Sequence, residues 1–557
     1  MKSLQYTPVT CRFPDEKPDE VVWTAPSGAT EKTYPFDDQP VRFAYDDAGF
    51  ERCVPVGTAV PAVRFTPTEP GEYRWTARKD GTAIASGTVF AAPSDAAGYV
   101  TVSARDPRYL ATSDGRPFFA NGLNLAVLRP VACAAGGEFA VHGRAYIGLR
   151  GYERWFRQCA AQGVNFIRIW LGQEYLCPDT DQAGVLDPVQ LAKLDALIAL
   201  ARRYGLRMKL TIEQFRYFDY ERAADGDSYA DACFRLFNKK LWLGDRRCES
   251  AAEWLRDPAW RAAWLRKVQQ LADRIGGDPT VAVIELWNEM SCLPTDGMIA
   301  WNRVMLPAVR AMFPRQLVVN SLGSLCSPRS AQNYRNFCWD ASDLVQLHRY
   351  LDIGAADEVC RSAPLKLLRD GIARVSRPDR PILVAETGAV NANHTGPFLY
   401  YPADHDGLLM CDFVFAPVCC GAAGCGQMWH WESYVEPNNL YWVYGLLRDW
   451  IDGVAFDREA FVPEVFRGGG MTLLLLRGKH TALGYLRNDA ANWETVLRDL
   501  QPVVPANGAI PLALDGALRV FPVGAEPGTV RYESGRLRVD GLRFGVLLRA
   551  ETGADAE

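Results

Sequence analysis

From Gly98 to about Gly453 short apolar runs of β character alternate with longer helical patterns, whereas the residues on either side read as short strands and tight turns. These textures predict an α/β protein in which a (β/α)8 TIM barrel (98–453) lies between an immunoglobulin-like N-terminal β-sandwich (1–97) and a C-terminal β-sandwich (454–557). The length of 557 residues agrees, because one hydrophobic core rarely serves so long a chain.

In the first region Tyr73-Arg74-Trp75-Thr76-Ala77 runs into Lys79-Asp80-Gly81, where Asp-Gly tolerates the positive φ of a tight hairpin. Residues 91–98 are small and nearly free of large apolar side chains, as expected of a linker. Eight strands are expected beyond it, at 117–124, 166–170, 207–213, 281–287, 316–321, 344–348, 381–385 and 426–431. The first helix should bury Tyr152, Trp155, Phe156 and Cys159, which repeat at helical spacing. Helix 188–204 opens behind Asp187 as cap with Pro188 in its first turn and closes on Gly205. Further helices are expected over 254–275, 295–312, 365–375, 408–420 and 439–451. An open doubly wound sheet would advertise a Gly-rich phosphate loop after its first strand, and none is present. The tail 552–557 is expected to be disordered.

Composition narrows the function. The chain is 48% hydrophobic and 23% charged, and no apolar run approaches the ~18 residues of a membrane span. The first thirty residues contain no apolar stretch able to serve as a signal-peptide core. Fifteen cysteines, odd in number and scattered, fit a reducing compartment, so the cytoplasm is expected. A net charge of -5 without a Lys/Arg block argues against nucleic acid as a partner, and oligomeric state is not legible.

In such a barrel chemistry collects at the C-terminal ends of the strands. Strand four ends Ile284-Glu285-Leu286-Trp287-Asn288-Glu289, and strand seven ends Ile382-Leu383-Val384-Ala385-Glu386. Glycoside hydrolysis needs such a pair: one carboxyl protonated to donate to the leaving oxygen, the other ionised to attack the anomeric carbon. Carboxylates ~5 to 5.5 Å apart go with a covalent intermediate and retained configuration.

Trp287-Asn288-Glu289 on strand four and Glu386 on strand seven resemble the clan A glycoside hydrolases, including the family 5 cellulases and mannanases. Arg168 on strand two, the His348-Arg349-Tyr350 series after strand six, Trp429 and Trp431 on strand eight, and Asp114-Gly115-Arg116-Pro117-Phe118-Phe119 before strand one extend the resemblance over roughly the middle 350 residues of the chain. It implies Glu289 as acid/base, Glu386 as nucleophile, Asn288 on the sugar 2-hydroxyl, and Arg168 and Tyr350 holding Glu386 ionised. The reaction implied is hydrolysis of short oligosaccharides or glycosides by a retaining β-glycosidase, of the exo type if the flanking sandwiches wall off one end of the cleft. A transglycosidase with the same carboxylates and a catalytically silent carbohydrate-binding barrel are the alternatives.

Other residues are open to two readings. Glu213 either binds substrate or satisfies the barrel rim, Glu174 also lies near a strand end, and Glu285, in mid-strand, reads as an internal salt-bridge partner. His348, His394, His405 and His430 cluster on or after strands six to eight, suggesting contacts to substrate, with loop or supporting roles equally open for His394 and His405. Trp170, Trp429 and Trp431 are nominated for the cleft, and which of the last two forms the sugar platform is left open. No cofactor is expected. No metal is expected either, since Leu123-Asn124-Leu125 offers no His-x-His and Cys419, Cys420 and Cys425 lack histidines at ligand spacing.

Overall fold

The computed structural model describes residues 1–45, 51–126, 148–173, 175–214, 241–293, 295–524 and 528–551. Glu174 and the tail 552–557 lie outside the described residues.

The chain is mixed α/β. At its start a five-stranded sheet (in spatial order Lys2–Leu4, Thr82–Ala92, Gly71–Lys79, Glu20–Thr24 and Thr30–Thr33) faces a three-stranded one (Val9–Arg12, Val60–Phe65, Phe36–Asp38). Inward residues of both form one apolar cluster, in which Trp23 of the first sheet stacks on Phe65 of the second at 4.2 Å. The expected hairpin is there: Lys79 pairs with Thr82, and Asp80 and Gly81 both adopt positive φ.

The middle of the chain is built on parallel strands. β1 (Gly122–Asn124), β2 (Phe166–Trp170), β3 (Arg207–Glu213), β4 (Val281–Trp287) and β5 (Leu317–Val319) pair in sequence order, and β6 (Val345–Asp352) pairs with β7 (Ile382–Val390). Residues 424–428 continue the series without forming a regular strand: Gly424 bridges to Ala120, and Met428 bridges to both Leu123 and Thr387. β1 lies close enough to β2 that a Cβ on Gly122 would stand 1.9 Å from the Phe166 carbonyl oxygen, so only glycine fits.

Helices follow the strands. They are α1 (Leu149–Ala161), α2 (Pro188–Arg203), α3 (Ala251–Arg256), α4 (Pro258–Ile275), α5 (Thr295–Met312), α6 (Pro328–Asn336), α7 (Pro364–Val375), α8 (Leu408–Cys419) and α9 (Trp442–Ile451). α2 is capped as its sequence demands, with the Asp187 carboxylate accepting from Val189 N at 2.8 Å. The helix expected over 254–275 is two helices. Pro258 forces the preceding residue into extended backbone, and Asp257 ends α3 while capping α4 through Ala259 N at 2.7 Å.

Two further sheets close the chain. The larger, in spatial order, is Val462–Gly468, Met471–Arg477, Thr481–Asn488, Gly545–Glu551 and Ala517–Val523; the smaller is Ala506–Pro511, Arg536–Leu542 and Thr529–Glu533. Strand Met471–Arg477 carries four consecutive leucines because both its faces are covered. Met471, Leu473 and Leu475 join the core between the sheets, while Leu474 and Leu476 join the central core beside α8. α8 is buried along its whole length, and its Asp412 accepts from Arg487 Nε and Tyr485 Oη, both at 2.7 Å. On the opposite flank Arg64 of the N-terminal sheets makes a forked bond to Asp195 of α2 at 2.7 and 2.9 Å. No helix among the described residues is long and apolar enough to cross a membrane.

Removing one partner of a buried pair strands the other charge. Arg487→Met is expected to destabilise the fold by about 3 kcal/mol or more, read as a lower urea midpoint, because the Asp412 carboxylate loses its counter-charge.

Candidate active site

Glu289 and Glu386 reach the same point from strands far apart in the chain. Glu386 lies within β7, where its side chain is 4% exposed, and Glu289 follows β4 by two residues, its side chain 20% exposed. One oxygen of each carboxylate and the His348 Nδ1 all lie within 4.8 Å of one another. His348 Nδ1 is 2.9 Å from Glu289 Oε1 and 3.3 Å from Glu386 Oε2.

Glu289 occupies a left-handed backbone position, φ 49 and ψ 49, which a non-glycine residue holds only against a steric cost. The end of β5 supplies the hold. Ser321 Oγ accepts from Glu289 N at 2.9 Å, Met290 N donates to Ser321 O at 3.0 Å, and Asn320 Oδ1 accepts from Trp287 N at 2.8 Å. Asn320 is held in turn by Asn302 of α5 at 2.7 Å.

Glu386 is held from beneath. Arg168 of β2, wholly buried, donates to one of its oxygens through Nη1, and Tyr350 Oη donates to the other at 2.8 Å. The same guanidinium donates from Nε to Glu285 at 2.7 Å, from Nη2 to Asn288 Oδ1 at 2.6 Å and from Nη1 to Asn124 Oδ1 at 3.3 Å. Burial works against its charge, but Glu285 and Glu386 outweigh that and raise its pKa above the ordinary value. Burial, followed by the negative charges of Glu386 and Glu289, pushes the Tyr350 hydroxyl well above its usual range and keeps it a donor.

Below this layer Glu285 accepts from Gln346 Nε2 at 2.8 Å, and Gln346 Oε1 accepts from Lys209 Nζ at 2.5 Å. Burial alone would raise Glu285, yet the charges of Arg168, Lys209 and His348 bring it down to about 2, while burial pushes the Lys209 ammonium down to about 7.

The other nominated residues divide. Trp429 is half-buried and stands against Trp170, the last residue of β2, with ring centroids 5.0 Å apart. Trp431 does not share its face. Residues 429–431 form no strand, and Trp431 opens a short π-helical turn, 2% exposed and packed on Trp155 of α1 at 4.7 Å, so it is core and not cleft. Glu213 pairs with Lys267 of α4 at 2.6 Å, as a residue satisfying the strand end would, and its carbonyl accepts from Asn288 N at 2.9 Å. His394 sits on the rim with its ring edge-on to Tyr350 at 4.8 Å. His430 is buried, its Nδ1 3.3 Å from Tyr401 Oη, and His405 is exposed.

The supporting polar residues Asn124, Thr211, Ser321, Asn320, Asn302, Lys209 and Gln346 escaped the sequence reading. For Asn124 and Lys209 a signal existed, a polar residue in an apolar strand whose neighbours are doubly covered. Among the described residues the one group of His, Cys, Asp or Glu close enough to hold a metal ion is Glu289, His348 and Glu386.

Two carboxyl groups brought this close are the equipment of a glycoside hydrolase. Residues 135–406 match the family described as Cellulase (glycosyl hydrolase family 5), a match that supports a clan A glycoside hydrolase of the family 5 type. Among solved structures, a protein of Bacteroides vulgatus ATCC 8482 named as a candidate glycoside hydrolase shares the fold over 99% of this chain and 100% of its own, at 13% identity and a TM-score of 0.56. A family 5 mannosidase from Rhizomucor miehei (15% identity, 60% of this chain and 86% of that one, TM-score 0.42) and an endo-beta-1,4-mannanase from Thermotoga petrophila (13%, 67% and 88%, TM-score 0.40) are too loosely similar to support an inference. No curated protein matches the chain in sequence.

Because the folded pKa of Glu285 lies below its ordinary 4.5, the stabilisation it brings is complete above that value and fades as pH falls toward 2. Glu285→Gln should therefore lower the urea midpoint at pH 6, by on the order of 3 kcal/mol, and lie much nearer wild type at pH 3.

Proposed function

We propose that the chain is a retaining β-glycosidase in which Glu386 is the nucleophile and Glu289 the acid/base. The observation that carries this reading is the approach of the two carboxylates, with one oxygen of each inside the same 4.8 Å group as His348 Nδ1. That separation suits direct attack on the anomeric carbon and leaves too little room for the extra water that inversion requires.

Glu386, accepting from Arg168 and Tyr350, is held ionised and aimed. It attacks the anomeric carbon while Glu289, the more accessible of the two, gives its proton to the departing oxygen. A covalent glycosyl-enzyme results. Glu289 then takes a proton from water, whose oxygen displaces Glu386 and restores the original configuration. Asn288, fixed by Arg168, is placed to meet the sugar 2-hydroxyl, and Trp429, backed by the wholly buried Trp170, offers an aromatic face for the sugar's C–H side.

The parallel strands, closed through residues 424–428, fit a (β/α)8 barrel over 98–453, with β-sandwich units over 1–97 and 454–557. Both flanks reach the rim. Glu51 of the N-terminal unit accepts from Leu149 N at the start of α1 at 2.7 Å, and Trp493 of the C-terminal unit packs on Phe398, beyond β7, at 5.3 Å. Walls at the ends of a cleft favour release of terminal sugars from short oligosaccharides or glycosides.

Glu386→Ala should abolish turnover of aryl β-glycosides. Glu289→Ala should recover with azide on a substrate bearing a good leaving group, giving a glycosyl azide of retained configuration. Wild-type activity in either variant would sink these roles. Chromatography of products from a polymeric β-glycan should show single terminal sugars from the first time points, and early internal fragments would refute the exo reading.

A further inference from the structure

A second polar series stands on the same rim. Asp352 is the last residue of β6, His394 closes the short turn Ala392–His394 after β7, and Ser324 follows β5. His394 Nδ1 lies 3.2 Å from Asp352 Oδ2, and its Nε2 lies 3.4 Å from Ser324 Oγ. The carboxylate accepts the Nδ1 proton, leaving Nε2 with its lone pair toward the hydroxyl. Such hydroxyl–imidazole pairs are often long until substrate closes them.

The arrangement is held in place from several sides. Burial would raise the Asp352 pKa, but His394 and the backbone N–H groups of Gly354 and Asn393 draw it below the ordinary value, so it stays an acceptor. The ring of Tyr350 meets His394 edge-on, at 83°. Asn393 and His394 are consecutive non-glycine residues with φ 59, a cost that structures tend to keep where the local geometry is used. Gly323, next to Ser324, is near enough to the glycosidase pair that its Cβ position lies 3.8 Å from the Glu289 carboxyl. His394 is 39% exposed, so a ligand in the cleft can reach it.

Glycoside cleavage by the carboxylate pair makes no use of a hydroxyl, imidazole and carboxylate in series. We propose that Ser324, His394 and Asp352 form a separate nucleophilic centre that hydrolyses carboxylic esters, of the kind formed by O-acyl groups on sugar hydroxyls. The ester chemistry stands on this trio alone, and only the sugar nature of the alcohol rests on the glycosidase reading. Ser324 Oγ bonds to the acyl carbon as His394 Nε2 takes its proton, giving a tetrahedral oxyanion. The bond from acyl carbon to alcohol oxygen breaks, and the imidazolium returns the proton to the leaving alkoxide. Water, deprotonated by His394, then attacks the acyl-serine, releasing the carboxylic acid and regenerating the hydroxyl.

The test uses the full chain with two substrates, 4-nitrophenyl acetate and an aryl β-glycoside, together with a fluorophosphonate label located by peptide mapping. The expected result is ester turnover above the buffer rate, a fall of at least tenfold in Ser324→Ala with the aryl-glycoside rate retained, and phosphonylation of Ser324 in the wild type. Ester turnover no faster than buffer, an unimpaired Ser324→Ala, or a label found elsewhere or nowhere would each overturn the proposal. Because the label is read on unaltered protein, a poorly folded variant does not obscure the result. Failure on the glycoside alone would count against the carboxylate pair and not against this centre.

Discussion

The buried guanidinium of Arg168 is the constraint on which the site depends. From β2 it bonds to Asn124 of β1, Thr211 of β3, Glu285 and Asn288 of the β4 segment, and Glu386 of β7. A planar fork of fixed donors can serve acceptors converging from several directions, which a lysine ammonium on a flexible stem cannot reproduce. Its burial without compensation would be ruinous, so the two carboxylates that neutralise it are necessary to the fold.

That requirement explains the layering beneath the rim. Arg168 and Lys209 supply positive charge and Glu285 and Glu386 negative, with Gln346 and Thr211 carrying hydrogen bonds between them. One carboxylate, Glu285, is enclosed and pairs with Arg168. The other has an edge left for the cleft. Glu289 stands apart from this ionic cluster, on a strained backbone position fastened to the next strand, and meets it through His348.

Much of this was legible in the chain because parallel strands covered on both faces must be apolar, so polar residues at their ends stand out. β3 and β4 fall on the expected residues, and the helix over 295–312 has the expected bounds. Where local chemistry competed with pattern the reading missed. Pro258 breaks a helix whose apolar spacing runs through it. Residues 424–428 hold an eighth strand's place through isolated bridges alone, and the backbone then turns into a π-helical segment, which moved Trp431 from cleft to core. The charge network was invisible for another reason, since which mid-strand polar residues meet depends on the registers of strands far apart in sequence. Glu213 shows this: it ends its strand as a substrate contact would, but Lys267, fifty-four positions away, claims it.

The alternating leucines of strand Met471–Arg477 carry a consequence for the chain's history. Odd positions face one core and even positions another, so the C-terminal segment is not cargo tied on by a tether but part of the wall of the central unit. A segment glued along a whole face cannot be shuffled between proteins as autonomous binding modules are. It has to be inherited with the enzyme it covers, and drift on one surface must be matched on the other.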